Sequence, residues 1–261
     1  MIPPDRIFSP RVGIFAYLEE KLGLVVSGTA LDVGCGSGYA SIWLAKNRQV
    51  DKIYALEASE AAVQELLPRN IGHHGVGGIV EPVLGSFDAV PTRNLDFVVS
   101  FGALHHSVCL LSTMRSISGA LREGGYLIAQ EPVMPNMTTN QAYVEKYDVV
   151  EERFGQRIRN GDRQDCFFRE AEYLAAAAFS GLDLVFYDDY SEILTRWHWQ
   201  RGLMAGLRGL MRRWYRRLTG KVNIQTGTSP MAKHTSTVVP KIMVFRKLTP
   251  PYIPHLWAAL K

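Results

Sequence analysis

The sequence contains few cysteines and no long apolar run. Cys35, Cys109 and Cys166 are widely separated, and no two of them have the Cys-x-x-Cys spacing of a zinc or redox motif. This pattern favours neither a disulfide framework nor a structural zinc site, so we expect a reducing compartment and a cytoplasmic protein. No segment is apolar over the roughly 20 residues needed to cross a bilayer, and residues 1–6 do not resemble a signal peptide.

The charge is close to balanced. The chain has 29 Lys and Arg against 25 Asp and Glu, a formal net charge of +4. An enzyme dedicated to nucleic acid usually has a broader excess of basic residues, so we do not expect a nucleic-acid partner. The His, Asp and Glu residues have no metal-ligand spacing, so we predict no metal site. With 261 residues, 47% of them apolar, the chain is long enough for one α/β domain with a large core.

The most informative stretch is rich in glycine. An apolar strand pattern at 30–33 runs into Gly-Cys-Gly-Ser-Gly at 34–38, and a helical pattern follows over 39–46. Three glycines in five residues indicate positive φ angles or a ligand lying against bare backbone. The start of the new helix adds free N–H groups and the positive end of a dipole. A nucleotide-like cofactor fits such a loop.

The glycine spacing separates two kinds of cofactor site. The dinucleotide fingerprint Gly-x-Gly-x-x-Gly is absent, because Tyr39 or Ser41 stands where its third glycine belongs. The loop resembles instead the first motif of class I S-adenosylmethionine-dependent methyltransferases, in which an acidic residue precedes Gly-x-Gly-x-Gly, as Asp32 does here. The resemblance continues in ordered motifs to Glu131. It implies a three-layer α/β sandwich with a seven-stranded, mostly parallel sheet and a final antiparallel hairpin.

The ends of the second and third strands supply further candidate ligands. Glu57 ends the second strand, where a carboxylate can accept hydrogen bonds from both ribose hydroxyls, although a solvated strand-end glutamate has the same pattern. The resemblance places Ser86 and Phe87 beside the adenine; Ser86 departs from the usual Asp, so Asp88 is an alternative, as is a plain turn. We therefore expect S-adenosyl-L-methionine to be the cofactor. The candidate cofactor residues are Asp32, Gly34, Cys35, Gly36, Gly38, Glu57, Ser86, Phe87, Ser100 and Phe101.

Two histidines follow the fourth strand, where the resemblance implies that residues 100–106 border the methyl group. Transfer to a hydroxyl requires alignment, exclusion of water and a base for the proton. His105 and His106 are candidate bases, and Glu131 at the end of the fifth strand is another. The histidines can also be a packing or cofactor-positioning element, and Glu131 can be an ion-paired strand end.

We predict a single domain, 1–261, whose core is interrupted by two lid insertions. The core covers about 24–131, 169–190 and 236–248, and the insertions 132–168 and 191–235 cover the substrate site. Residues 197–218 have the pattern of a basic amphipathic helix, with leucines and tryptophan opposite arginines. Three interpretations remain: a lid helix, a peripheral contact with an anionic membrane, or a contact with RNA or another anionic partner.

The predicted function is methyl transfer from S-adenosylmethionine to a hydroxyl or amine of a small-molecule, glycan or lipid-linked acceptor. One alternative is a non-catalytic protein of the same fold that uses the basic helix to bind a membrane or a partner. A second is an NAD-type oxidoreductase, which shares the strand-loop-helix unit and the ribose-binding acid but requires a different glycine spacing.

Overall fold

A computed structural model describes residues 13–134, 168–190 and 239–249. Seven strands form one sheet in the order β3-β2-β1-β4-β5-β7-β6. The strands are β1 Ser27–Val33, β2 Gln49–Glu57, β3 Val80–Leu84, β4 Leu95–Phe101, β5 Leu121–Val133, β6 Leu182–Asp189 and β7 Val239–Lys247. The first five pair in parallel, and β7 runs antiparallel between β5 and β6. The predicted mostly parallel sheet with a final hairpin is confirmed.

Helices cover both faces of the sheet. They are α1 Gly13–Leu22, α2 Tyr39–Asn47, α3 Leu67–His74, α4 Leu110–Ala120 and α5 Glu170–Ala178. Successive strand residues point to opposite faces of the sheet, and both faces carry buried apolar residues. One side packs with α1, α2 and α3, and the other with α4 and α5. The result is the predicted three-layer sandwich. None of the helices within the described ranges is long and apolar enough to span a bilayer.

Strand order places the candidate site. The chain passes from β1 outwards to β2 and β3, then returns to the other side of β1 with β4 and β5. In open α/β sheets, ligands bind beyond the carboxyl ends of the strands at such a reversal. The loops that follow β1 and β4 are therefore neighbours, since Val33 pairs with Ser100.

Helix α1 packs on the same side of the sheet as α2 and α3. Phe15 stacks on Trp43 of α2 with ring centroids 5.3 Å apart, and its ring centroid is 5.4 Å from that of Phe101 at the end of β4. The Tyr17 hydroxyl donates a hydrogen bond to the carboxylate of Asp188 near the end of β6. These contacts join α1 to both halves of the sheet.

The insertions predicted at 132–168 and 191–235 fall almost entirely outside the described residues. The basic amphipathic helix predicted within 197–218 lies outside them as well. The described residues include most of the segments predicted to form the core. Strand β5 starts at Leu121 because this residue pairs with Leu95 across an irregular register.

Candidate active site

The glycine loop follows β1. Gly34, Gly36 and Gly38 have φ angles of +63°, +54° and +77°, a region that side chains rarely adopt. A Cβ at Gly34 would lie 2.5 Å from Cβ of Ala103, and one at Gly38 would lie 2.7 Å from Cδ2 of Leu67. A Cβ at Gly36 would meet no atom within 4 Å. Two of the glycines therefore allow close packing, and the third leaves bare backbone facing open space.

Asp32 shapes this loop from within the protein. Its buried carboxylate accepts hydrogen bonds from the Ser41 backbone N–H at 3.1 Å and the Ser41 hydroxyl at 2.6 Å. Burial raises the pKa of Asp32 to about 6, against the lowering effect of the two Ser41 bonds. Burial likewise raises the pKa of the Cys35 thiol, which lies inside the loop. Asp32 thus ties the first turn of α2 to the end of β1.

Asn70 supports the loop from the other side, and sequence reasoning missed it. This fully buried residue of α3 donates a hydrogen bond from Nδ2 to the carbonyl of Ser37 at 2.9 Å. The only signal in the sequence is a polar residue with modest helix propensity inside a helix. That signal does not indicate that Asn70 contacts the glycine loop.

Glu57, at the end of β2, contacts the backbone of Gly36. One carboxylate oxygen, Oε2, accepts a hydrogen bond from the Gly36 N–H at 2.9 Å. The other, Oε1, accepts from the N–H groups of Ala58 at 2.9 Å and Ser59 at 3.1 Å. Glu57 is only half-buried, so its oxygens are held by backbone and remain near solvent. A carboxylate next to bare backbone provides acceptors for the two hydroxyls of a ribose, so these residues fit a nucleoside.

The turn after β3 contacts α4. The Ser86 hydroxyl accepts a hydrogen bond from the Asp88 N–H at 3.3 Å, and Phe87 is buried in the layer that contains α4. The Asp88 carboxylate accepts a hydrogen bond from the hydroxyl of Thr113 on α4. Of the two alternatives for the adenine contact, Ser86 therefore closes the turn through Asp88, and Asp88 holds the turn against the helix.

Glu131 organises the loop after β4. Its side chain is completely buried, and three donors converge on Oε1: the Ser100 hydroxyl at 3.0 Å, the Ala103 N–H at 3.0 Å and the Leu104 N–H at 2.9 Å. The second oxygen, Oε2, lies 2.9 Å from Nδ1 of His105 and 3.4 Å from its backbone N. One carboxylate of β5 therefore defines the course of residues 103–105.

The two histidines lie side by side in this loop, His105 buried and His106 partly buried. The side chain of His105 is 11% exposed, and that of His106 is partly buried. Their ring centroids are 4.1 Å apart. Imidazole can take up a proton near neutral pH, so this loop carries groups able to act as a base.

Direct contacts connect most of the predicted site residues. Gly36 bonds to Glu57, Gly34 packs on Ala103, and Glu131 holds the loop that contains Ala103 and His105. The glycine loop, the end of β2 and the loop after β4 therefore form one continuous edge. Within the described ranges, no group of three His, Cys, Asp or Glu residues is arranged to hold a metal ion.

Comparison with known proteins identifies this edge. Residues 31–129, which run from β1 into β5, match the family model described as a methyltransferase domain. Residues 31–129 form a methyltransferase domain. S-adenosylmethionine is the cofactor of this family, in agreement with the glycine spacing and with the acid at the end of β2.

A curated relative of the methyltransferase domain is the ribosomal RNA small subunit methyltransferase C of Acinetobacter baumannii, 35% identical over 96 residues. The match covers 36% of this chain and 28% of the relative, so the chain spans less than a third of that protein.

Solved structures share the fold at low sequence identity. Geranyl diphosphate C-methyltransferase from Streptomyces coelicolor A3(2), crystallised with Mg²⁺, geranyl diphosphate and S-adenosyl-L-homocysteine, superposes with a TM-score of 0.63 at 11% identity, over 91% of this chain and 79% of that chain. The cyclase SpnF superposes with a TM-score of 0.62 at 16% identity, over 91% and 81% of the two chains.

Proposed function

We propose that the protein transfers a methyl group from S-adenosylmethionine to a hydroxyl or amine of a small-molecule, glycan or lipid-linked acceptor. The observation that carries this proposal is the pairing of Gly36 with Glu57. A glycine with positive φ leaves open space beside it, and a strand-end carboxylate lies within hydrogen-bond distance of its N–H. This combination occurs at the point where the strand order reverses, which is where the fold binds ligands.

In this proposal, different residues bind different parts of the cofactor. Glu57 receives the ribose hydroxyls, and the backbone of Gly34, Gly36 and Gly38 lies along the nucleoside and amino acid parts. Ser100 and Phe101, at the end of β4, border the methyl end. The cofactor supplies an electrophilic methyl group, so the protein has to hold both reactants in line and to exclude water.

The loop after β4 is proposed to serve the acceptor. A neutral hydroxyl needs a base as its oxygen attacks, and His105, His106 and Glu131 are the candidates in this loop and in the strand behind it. The pairing of an imidazole with a buried carboxylate supports oxygen as the acceptor atom.

An RNA acceptor is a second candidate, favoured by the name of the curated relative. The net charge of +4 favours a smaller acceptor, because binding along a nucleic acid depends on many phosphate contacts. A third candidate, a protein of this fold that does not transfer methyl groups, is consistent with the cyclase among the structural neighbours.

The test is transfer of isotopically labelled methyl from S-adenosylmethionine into extract of the source cell, separated into lipid, glycan, small-molecule and RNA fractions. Gly36→Ala should abolish labelling, because its Cβ would enter the open space at this loop, where the cofactor is proposed to lie. Gly75→Ala is the matched control: Gly75 has a φ of +66°, a Cβ there would also meet nothing within 4 Å, and it lies at the end of α3.

The fraction that carries the label distinguishes the candidates. Label in a lipid, glycan or small molecule, lost in Gly36→Ala and retained in Gly75→Ala, would support the proposal. Label in RNA would show that the acceptor is RNA and would contradict the proposed acceptor class. Absence of transfer in every fraction, with cofactor binding intact, would favour the non-transferring protein.

A further inference from the structure

Glu131 uses its two oxygens differently. The three donors on Oε1 belong to Ser100, Ala103 and Leu104, so this oxygen holds the backbone of the loop. The contact with an imidazole is made by Oε2, 2.9 Å from Nδ1 of His105. A carboxylate oxygen is an acceptor, so Nδ1 has to carry the proton of this bond. The remaining nitrogen of the ring, Nε2, is then the basic one.

We propose that Glu131 is a positioning residue that holds His105 in the Nδ1–H tautomer, so that Nε2 of His105 is the base for the acceptor hydroxyl. This inference rests on the proposed function. Five hydrogen-bond contacts occupy the Glu131 carboxylate, and its side chain has no exposed surface, so it does not reach an acceptor itself. The His105 ring is buried except for an exposed fraction of 11%, so part of the ring is accessible where the Glu131 carboxylate is not.

The proposed methyl transfer exchanges one bond to carbon for another and moves one proton. The acceptor oxygen forms a bond to the methyl carbon, and the carbon–sulfur bond breaks with its electron pair remaining on sulfur. Nε2 of His105 takes the hydroxyl proton, and the resulting imidazolium is stabilised by the Glu131 carboxylate at Nδ1. Among the described residues, the titratable groups seen against the ring include Glu131 from β5 and His106 from the same loop.

Glu131→Gln separates the two roles of the carboxylate. The amide oxygen can replace Oε1 and keep its three donors, while the NH₂ group takes the place of Oε2. An NH₂ group donates, so Nδ1 of His105 would have to accept and the proton would move to Nε2. The variant thus keeps the three bonds on Oε1, loses the longer 3.4 Å contact with the His105 backbone N–H, and reverses the tautomer.

The direct test measures the imidazole ¹⁵N chemical shifts of His105 at pH 8, assigned from the signals that disappear in His105→Gln. We expect the Nδ1–H tautomer in the wild type and the Nε2–H tautomer in Glu131→Gln. An Nε2–H tautomer in the wild type would overturn the proposal whether or not the variant folds. This measurement needs neither cofactor nor acceptor.

Kinetics with the acceptor identified by the labelling assay provide the second test. General-base catalysis contributes roughly 100-fold or more, so kcat should fall by that factor in Glu131→Gln and in His105→Gln, while KM and cofactor affinity stay within about twofold. Because the two residues act as one unit, the double variant should be no slower than His105→Gln.

Glu81→Gln is the matched control. Glu81 is an exposed carboxylate of β3 that pairs with Lys52 and lies outside the site. It should retain wild-type kcat. Wild-type kcat in Glu131→Gln would overturn the inference while leaving methyl transfer intact; failure of the wild type to transfer methyl would overturn the proposed function instead, whatever tautomer His105 has.

Discussion

Replacing Glu57 by glutamine should weaken binding of S-adenosylhomocysteine by about 10-fold to 100-fold while leaving the fold intact. The carboxylate accepts from Gly36 through Oε2, and from Ala58 and Ser59 through Oε1. A glutamine has one oxygen for these two positions, so its NH₂ group must face a backbone N–H. Such a clash of donors removes one charge-assisted hydrogen bond and reorients the loop.

The magnitude follows from the number of bonds and their exposure. A hydrogen bond to a charged group contributes about 1.5–3 kcal/mol, and the half-buried position of Glu57 favours the lower value. About 1.4 kcal/mol corresponds to a 10-fold change in affinity. Loss of a second acceptor for a ribose hydroxyl extends the expected range to 100-fold.

Isothermal titration calorimetry of the two proteins with S-adenosylhomocysteine measures this difference. Glu60→Gln is the control, because Glu60 is exposed, three residues further along the chain, and bonds only to Gln64 among the contacts seen. It should bind like the wild type. If Glu57→Gln binds within twofold of the wild type, Glu57 does not hold the ribose and the assignment of the site is wrong.

Three further predictions concern stability. Gly34→Ala should lower the free energy of unfolding by about 3 kcal/mol in urea, because φ is +63° and the new Cβ would lie 2.5 Å from Cβ of Ala103. Gln130→Met should raise that free energy by roughly 1 kcal/mol, because Oε1 of this buried residue has no hydrogen-bond partner among the described residues. Asp32→Asn should make stability less dependent on pH: the pKa of Asp32 is raised from 3.8 to about 6 in the folded protein, so the folded state binds the proton more tightly. Lowering the pH from about 7 to about 4.5 should therefore stabilise the wild type relative to Asp32→Asn by roughly 2 kcal/mol.

A specific result would contradict each of the three stability predictions. A loss below about 1 kcal/mol in Gly34→Ala would show that the glycine loop does not pack tightly on the loop after β4. Destabilisation of Gln130→Met would show that the carboxamide is bonded in solution. A difference between wild type and Asp32→Asn that is independent of pH would show that Asp32 keeps an ordinary pKa.

The succession of strands and helices along the chain could largely be predicted from the sequence, since it depends on local patterns. The apolar strand before Gly34 and the helix after Gly38 are recognisable because hydrophobic periodicity and glycine act over a few residues. Glu57 was found for the same reason, as the polar residue at the end of an apolar run. The place of these strands in a sheet came from the family resemblance.

Side-chain partners between distant segments were not predictable. Asn70 contacts Ser37 across 33 positions, and Glu131 contacts Ser100 across 31. These bonds depend on how helices and strands pack, which hydrophobic periodicity does not specify. The sequence placed Glu131 near the histidines, but the convergence of five contacts on it depends on the register of β5 against β4.

The turn after β3 illustrates the same limit. Ser86 and Asp88 are both plausible partners for an adenine in the sequence, since each follows an apolar strand. The side-chain direction of Asp88 is set by its bond from Thr113 of α4. Only the packing of α4 on the sheet shows that these residues also have a structural task.

The most direct test of the account is a calorimetric titration of the wild-type protein with S-adenosylhomocysteine and, separately, with NAD. The glycine spacing and the open side of Gly36 predict saturable, one-to-one binding of S-adenosylhomocysteine that is lost in Gly36→Ala, retained in Gly75→Ala, and not seen for NAD. Binding of NAD without binding of S-adenosylhomocysteine would contradict the central claim that this edge of the sheet is a methyltransferase cofactor site.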